Sequence, residues 1–237
     1  MKFSVKAAVA CFGMLAFCAP ANAITFNGTV DYYSHPVGGD FGVGPCCGHI
    51  ADLVQGALVS GRPVFNSAYG GPALNQVNPN GTLAWWDGAP TSSNNPFSTN
   101  GTGTYSANIF PPNGTGGSNS SAFQTAIFTL SLLTNTSYTF TYTGDDDVFV
   151  ALGNQVISQD GGIHAAGQSN QVTFNTAGNS SLSIFFADRF VTESSLSFTV
   201  EAAAVPGPAV GAGIPGLLMA LGGIVAWRRR RNQGAVA

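Results

Sequence analysis

The sequence predicts an all-β protein, an antiparallel β-sandwich with one short helix, set between an N-terminal signal peptide and a C-terminal transmembrane helix. Three observations carry that prediction. The chain opens on two lysines and a short apolar run, closes on an apolar stretch followed by four arginines, and between them holds many short segments whose apolar residues recur every second position.

The opening, Met1-Lys2-Phe3-Ser4-Val5-Lys6 and then Ala7 to Ala19, has a basic start and an apolar core too short to cross a bilayer as a mature helix. Ala21-Asn22-Ala23 is an A-x-A cleavage site, so residues 1–23 read as a signal peptide and the mature chain begins at Ile24. A lipoprotein reading fits less well, since bulky Phe17 precedes Cys18.

Between Ile24 and Ala204 the only basic residues are Arg62 and Arg189, against eleven acidic ones, a net of −9. Nucleic acid is therefore excluded as a partner. The span of about 180 residues is enough for one domain with its own core. Cys46 and Cys47 are the only thiols left after the signal peptide, and they are adjacent. In an oxidising envelope they could close a vicinal disulfide, pair with another molecule, or stay reduced. A zinc reading would recruit His49 and His35, but four ligands at a recognised spacing are not present, so a local disulfide or a plain loop takes precedence.

The helix is expected at Ile50, Leu53, Val54, Ala57 and Leu58, whose stripe spacing ends at Gly61 and Pro63. From Asn78 to Ser121 the chain is rich in Asn, Gly, Ser, Thr and Pro and reads as turns and long loops. Trp85 and Trp86 interrupt it, and anchoring the loop to the core is favoured over a sugar-stacking platform. Triplets such as Asn27-Gly28-Thr29 read as turn chemistry rather than glycosylation sites.

After Ser121 the strands come in order. Ala126, Phe128, Leu130 and Leu132 share a face, Tyr138, Phe140 and Tyr142 alternate with threonines, and Val148 to Leu152 is a continuous apolar run. Gly153-Asn154 turns the chain into Gln155–Ser158, and strands follow at Gln171–Asn175, at Leu182, Ile184 and Phe186, and at Leu196, Phe198 and Val200.

Gly144-Asp145-Asp146-Asp147 lies at a strand junction. Two such charges at ~4 Å and an effective dielectric near 20 repel by roughly 4 kcal/mol, so either water solvates them or a cation neutralises them. Calcium is the first candidate among hard cations, although the spacing is not that of an EF-hand. On spacing alone, the solvated acidic turn stands ahead of the metal site.

Two resemblances add to this reading. Val205-Pro206-Gly207-Pro208, Gly213-Ile214-Pro215-Gly216, the uncharged run Pro208–Trp227 and Arg228 to Arg231 resemble a PEP-CTERM sorting tail, with Val-Pro-Gly-Pro in place of Pro-Glu-Pro. The resemblance implies a Gram-negative bacterium, an exosortase-type processing enzyme, exopolysaccharide production and transient membrane anchoring through residues 208–227. The domains are then 1–23 signal peptide, 24–204 sandwich, 205–231 sorting and membrane segment, and 232–237 a short tail.

Gly144-Asp145-Asp146-Asp147-Val148-Phe149-Val150, Asp160-Gly161-Gly162-Ile163-His164 and Ile184-Phe185-Phe186-Ala187-Asp188-Arg189 resemble the fibro-slime domain, which is related to the PA14 β-sandwiches. That resemblance implies a PA14-like sandwich in which two neighbouring aspartates, joined by a cis peptide, hold a calcium ion that in turn holds sugar hydroxyls. The pair corresponds to Asp145 and Asp146, and the expected metal site is Asp145, Asp146 and Asp147. Asp188 and Arg189 are expected to form a structural pair, and His164 to pack or hydrogen-bond in its Gly-rich loop.

The function expected is an exported, non-catalytic surface or exopolysaccharide-matrix protein that binds calcium and carbohydrate, with no sugar contacts assigned. A purely structural or adhesive matrix component is the alternative. An envelope polysaccharide enzyme using Asp188 and Glu193 as acid and base ranks last, because neither G-x-S-x-G nor H-E-x-x-H occurs and no motif places a nucleophile beside a base.

Overall fold

A computed structural model describes residues 25–35, 48–68, 76–107, 123–178, 181–189, 194–203, 221–225 and 227–228. Residues Ala23–Ala203 form one compact unit. The signal peptide, Cys46 and Cys47, and most of the sorting tail lie outside the described residues. Within the tail, 221–225 and 227–228 are helical. Among the described residues no helix is long and apolar enough to cross a membrane.

Ten strands build the unit: β1 Asn27–His35, β2 Ser92–Ser98, β3 Thr104–Ala107, β4 Phe123–Ser131, β5 Ser137–Asp145, β6 Asp147–Leu152, β7 Gln155–Asp160, β8 Asn170–Asn175, β9 Ser181–Asp188 and β10 Ser195–Ala202. They form a six-stranded sheet in the order β2-β1-β4-β9-β6-β7 and a four-stranded sheet in the order β3-β10-β5-β8. Every pairing is antiparallel. The all-β, two-sheet architecture expected from the period-two pattern is the one observed.

The main core lies between the sheets. Phe128, Leu130, Phe140, Tyr142, Val148, Val150, Ile184, Phe186, Phe198 and Val200 belong to it, the alternate residues of five strands. A second core covers the outer face of the six-stranded sheet, where Tyr33, Ile127, Phe149 and Phe185 pack against Leu53, Val54, Leu58, Leu83, Trp85 and Trp86. The central strands β4, β6 and β9 are therefore buried on both faces. That explains why Val148 to Ala151 is apolar without alternation and is wholly buried.

The tryptophan pair is the centre of the outer layer. Trp85 and Trp86 sit in a 3-10 turn, Ala84–Trp86, and have no exposed surface. Trp86 Nε1 donates to the Ala126 carbonyl at 3.1 Å, and Thr125 Oγ1 donates to the Trp85 carbonyl at 2.6 Å. The pair anchors its loop, as the sequence reading preferred.

The helix expected at Ile50–Leu58 does not form. Leu53, Val54 and Leu58 are buried as anticipated, Ile50 is half-buried and Ala57 is exposed, but the backbone runs along the open edge of β7 as isolated bridges, Ile50 with Gly161 and Ala57 with Gln155. Ile50 N donates to Gly161 O at 2.6 Å, Gly161 N returns to Ile50 O at 2.9 Å, and Leu58 N donates to Asn154 O at 3.0 Å. The side-chain amide of Gln159 stands in for a strand, accepting from Val54 N at 2.9 Å and donating to Val54 O at 2.9 Å. The unpaired edge of β7 offers these peptide groups partners, while Gly56 in mid-segment weakens a helix by about 1 kcal/mol relative to Ala.

Three strands fall where loops or nothing regular were expected. β1 is rich in Asn, Gly, Ser and Tyr, β2 contains Pro96 and mostly exposed polar residues, and β3 has four residues. β2 and β3 are edge strands, where Pro and polar side chains are tolerated because only one side needs a partner. Two Asn-Gly-Thr triplets behave as turns, Asn80 Oδ1 accepting from Thr82 N at 3.1 Å and Asn100 Oδ1 from Thr102 N at 3.0 Å and Thr104 N at 2.9 Å, whereas Asn27-Gly28-Thr29, also expected to turn, opens β1 because β2 and β4 pair with it on both sides.

Replacing Gln159 with Ala leaves the Val54 amide and carbonyl without their partner. The expected loss is about 1–3 kcal/mol in urea unfolding, and an unchanged midpoint would show that the edge cover is held by packing alone.

Candidate functional site

The three aspartates lie where the chain crosses between sheets. β5 ends at Asp145 in the four-stranded sheet and β6 begins at Asp147 in the six-stranded one, with Asp146 as the residue between them. The ends of β7 (Asp160) and β9 (Asp188) and the start of β10 (Ser195) are at the same end of the sandwich, because Asp147 is opposite Ala187, Val148 is opposite Asp160, and Asp145 is opposite Ser195. The peptide bond between Asp145 and Asp146 is cis.

The solvated turn favoured on spacing is corrected by burial. Asp145, Asp146 and Asp147 are 8%, 1% and 0% exposed, since the segment is an inter-sheet crossing on which Gly162, His164 and Arg189 are seated. Asp160 and Asp188 are also buried. Among the described residues, five buried carboxylates share this end of the molecule with one buried guanidinium, that of Arg189.

Arg189 binds Asp147 in a fork: Nε donates to Oδ2 at 2.7 Å and Nη2 to Oδ1 at 3.0 Å. Gly162 N also donates to Asp147 Oδ1, at 2.7 Å. The guanidinium carbon lies 5.0 Å from the centre of the Trp85 ring, so the second core continues directly into the site. The fork joins Arg189 to Asp147, which β-pairing brings alongside the end of β9. Asp188 acts on the cluster through its charge, which helps to raise Asp146.

Asp146 is held differently. Its Oδ1 accepts from His164 N at 3.0 Å and its Oδ2 from Arg189 N at 2.8 Å. Burial first, and then the neighbouring Asp147 charge, push the Asp146 carboxyl up to about 8, against those two hydrogen bonds. Burial also pushes Asp147 upward, and the Arg189 guanidinium opposes it.

A carboxylate offers about four lone-pair sites. Asp147 has three filled and its charge matched by Arg189, whereas Asp146 has two filled by neutral donors and no cation on it. The donor set at Asp145 and Asp146 is thus all-oxygen and buried, and the Asp146 carboxylate is held by neutral donors, which suits a hard divalent cation. Of the three expected ligands, Asp145 and Asp146 fit that role and Asp147 serves as the anchor for Arg189.

Gly162 is fixed by its backbone. Its φ is 104°, and a Cβ there would come within 2.3 Å of the Gly48 carbonyl oxygen. Glu193 of the acid–base alternative lies outside the described residues.

Sequence reasoning missed one grouping. His49 Nδ1 stands 2.8 and 3.0 Å from the two carboxylate oxygens of Asp160, and His164 Nε2 is 3.5 Å from Asp160 Oδ1. The imidazole rings are 4.0 Å apart. The Asp160-x-x-x-His164 spacing was visible, but nothing in the sequence joined it to His49, 111 residues away from Asp160.

No family model matches the chain, and no curated protein matches it in sequence. Among solved structures it is similar to a "PA14 sugar-binding domain from RTX adhesin", at 13% identity and a TM-score of 0.36, over 75% of this chain and 90% of that one. It is also similar to the PA14 domain of the MpAFP antifreeze protein, at 19% identity and a TM-score of 0.23, over 36% of this chain and 46% of that one.

Two outcomes are expected of the site. Asp147→Asn strands a buried guanidinium and should cost about 3–5 kcal/mol in denaturant unfolding. The second concerns pH. Folding raises Asp146 to about 8 from an unfolded carboxyl near 3.9, so the folded state binds the extra proton between those values. Stability of the chelator-treated protein should therefore fall as pH rises from about 4 towards 8, read as a declining unfolding midpoint. A midpoint that rises over that range would contradict the burial of an unmatched carboxylate.

Proposed function

We propose that the protein is an exported, non-catalytic component of the cell surface or exopolysaccharide matrix that binds calcium, and through it carbohydrate, at Asp145 and Asp146. The observation that carries this reading is the pair of adjacent buried carboxylates, Asp146 held by two neutral amides while the Arg189 fork is made to Asp147. The fibro-slime resemblance of the same residues agrees with it. The signal peptide and the PEP-CTERM-like tail supply the export and retention parts of the proposal, with an exosortase-type enzyme as processing partner and a Gram-negative envelope as the location.

Each of this chain's residues has a defined part. Asp145 and Asp146 supply the oxygen ligands. The amides of His164 and Arg189 orient the Asp146 carboxylate, and Arg189, clamped by Asp147 and resting on Trp85, ties the end of β9 to the crossing. A bound calcium ion would accept sugar hydroxyl oxygens in place of water, since its coordination of 6–8 oxygens exceeds what two side chains provide.

Calcium titration of the full chain by calorimetry, with thermal unfolding as a second readout, tests the proposal. One calcium ion should bind, and at 100 times its dissociation constant it should stabilise the fold by about 2.7 kcal/mol. Asp145→Ala/Asp146→Ala should lose both effects. No heat and no stabilisation in the wild-type chain would leave a purely structural matrix protein as the account.

A further inference from the structure

We propose a second ion site, independent of the aspartate pair, in which His49 Nδ1, an Asp160 carboxylate oxygen and His164 Nε2 ligate a zinc-class transition metal. The three ligand atoms lie within 4.8 Å of one another. They come from three separated pieces of chain: the segment along the β7 edge, the last residue of β7, and the loop that follows.

The state of His164 points to a cation. Its side chain is 5% exposed, and its Nδ1 lies 3.3 Å from the Ala165 carbonyl, which can only accept, so Nδ1 carries the proton. In the neutral ring of that tautomer, the form that ligates a metal, Nε2 presents a lone pair. That lone pair is buried without a hydrogen-bond partner and faces Asp160 Oδ1, a second acceptor, at 3.5 Å. Two acceptors face each other across this gap, and an ion between them satisfies both.

The spacing suits the chemistry. Ligand atoms bonded to one zinc ion at about 2.0–2.2 Å stand roughly 3.3–3.5 Å apart in a tetrahedral site. The His164–Asp160 separation already has that value. His49 Nδ1, now hydrogen-bonded to both Asp160 oxygens at 2.8 and 3.0 Å, would give up its proton and move outward by a few tenths of an ångström.

The surrounding groups are those of a built site. Asn170 Nδ2 donates to Asp160 Oδ2 at 2.6 Å and fixes the carboxylate, and the Ala165 carbonyl fixes the His164 tautomer. Two imidazoles and one carboxylate select an ion of zinc type over calcium, whose preferred ligands are all oxygen. Three protein ligands leave a position for water or a ligand group. His49 is the solvent-facing member, with its side chain 32% exposed, so the ion can enter from that side.

Zinc titration of the chelator-stripped full chain by calorimetry, repeated in calcium-saturated buffer, tests the proposal, with Co²⁺ absorption reporting nitrogen ligation. One zinc ion should bind in both buffers. His49→Ala should weaken binding by at least about 100-fold while the metal-free variant still unfolds in one cooperative transition, which separates loss of the ligand from loss of the fold. Absence of zinc binding, unchanged affinity in His49→Ala, or displacement of zinc by calcium would each overturn the site. The calcium result for Asp145 and Asp146 is read separately, so either site can fail alone.

Discussion

The fork between Arg189 and Asp147 is the contact on which this end of the molecule depends. It ties the first residue of β6 to the end of β9, takes a third hydrogen bond from Gly162, and rests on Trp85. A buried ion pair contributes little net stability compared with apolar packing, because both groups lose their water. Its effect here is positional. The backbone amide of the same Arg189 is directed at Asp146, so the residue that neutralises one aspartate also orients the next.

The consequence is an unequal treatment of three identical side chains. Asp147 gets the cation, Asp146 gets two peptide donors, and Asp145 ends a strand of the opposite sheet. The remaining negative charge is what a bound divalent ion would match. Without one, a proton on Asp146 does the same, which is why its carboxyl is pushed up to about 8 by burial and by Asp147.

Much of the fold was legible because the central strands identify themselves through their side chains. Tyr138, Phe140 and Tyr142 alternate because one face of β5 meets the core, and Val148 to Ala151 runs unbroken because both faces of β6 are covered. β2 and β3 escaped notice because an edge strand is specified by the free peptide groups of its neighbour rather than by its own apolar residues. The stripe from Ile50 to Leu58 misled for a related reason: Leu53, Val54 and Leu58 are buried, but the edge of β7 and the amide of Gln159 claimed the backbone. At the site, the aspartate run stood out in the sequence, whereas its burial, the Arg189 fork and the approach of His49 to Asp160 and His164 depend on contacts more than 40 residues apart.

The most direct test of the central claim is a crystal structure of the protein grown with calcium, with the ion located by its anomalous signal. The account predicts an ion about 2.3–2.6 Å from a carboxylate oxygen of both Asp145 and Asp146, with the Asp147–Arg189 fork intact beside it. A map with no ion there and Asp146 bonded only to its two amides would contradict it, as would an ion seated on Asp147 with Arg189 displaced.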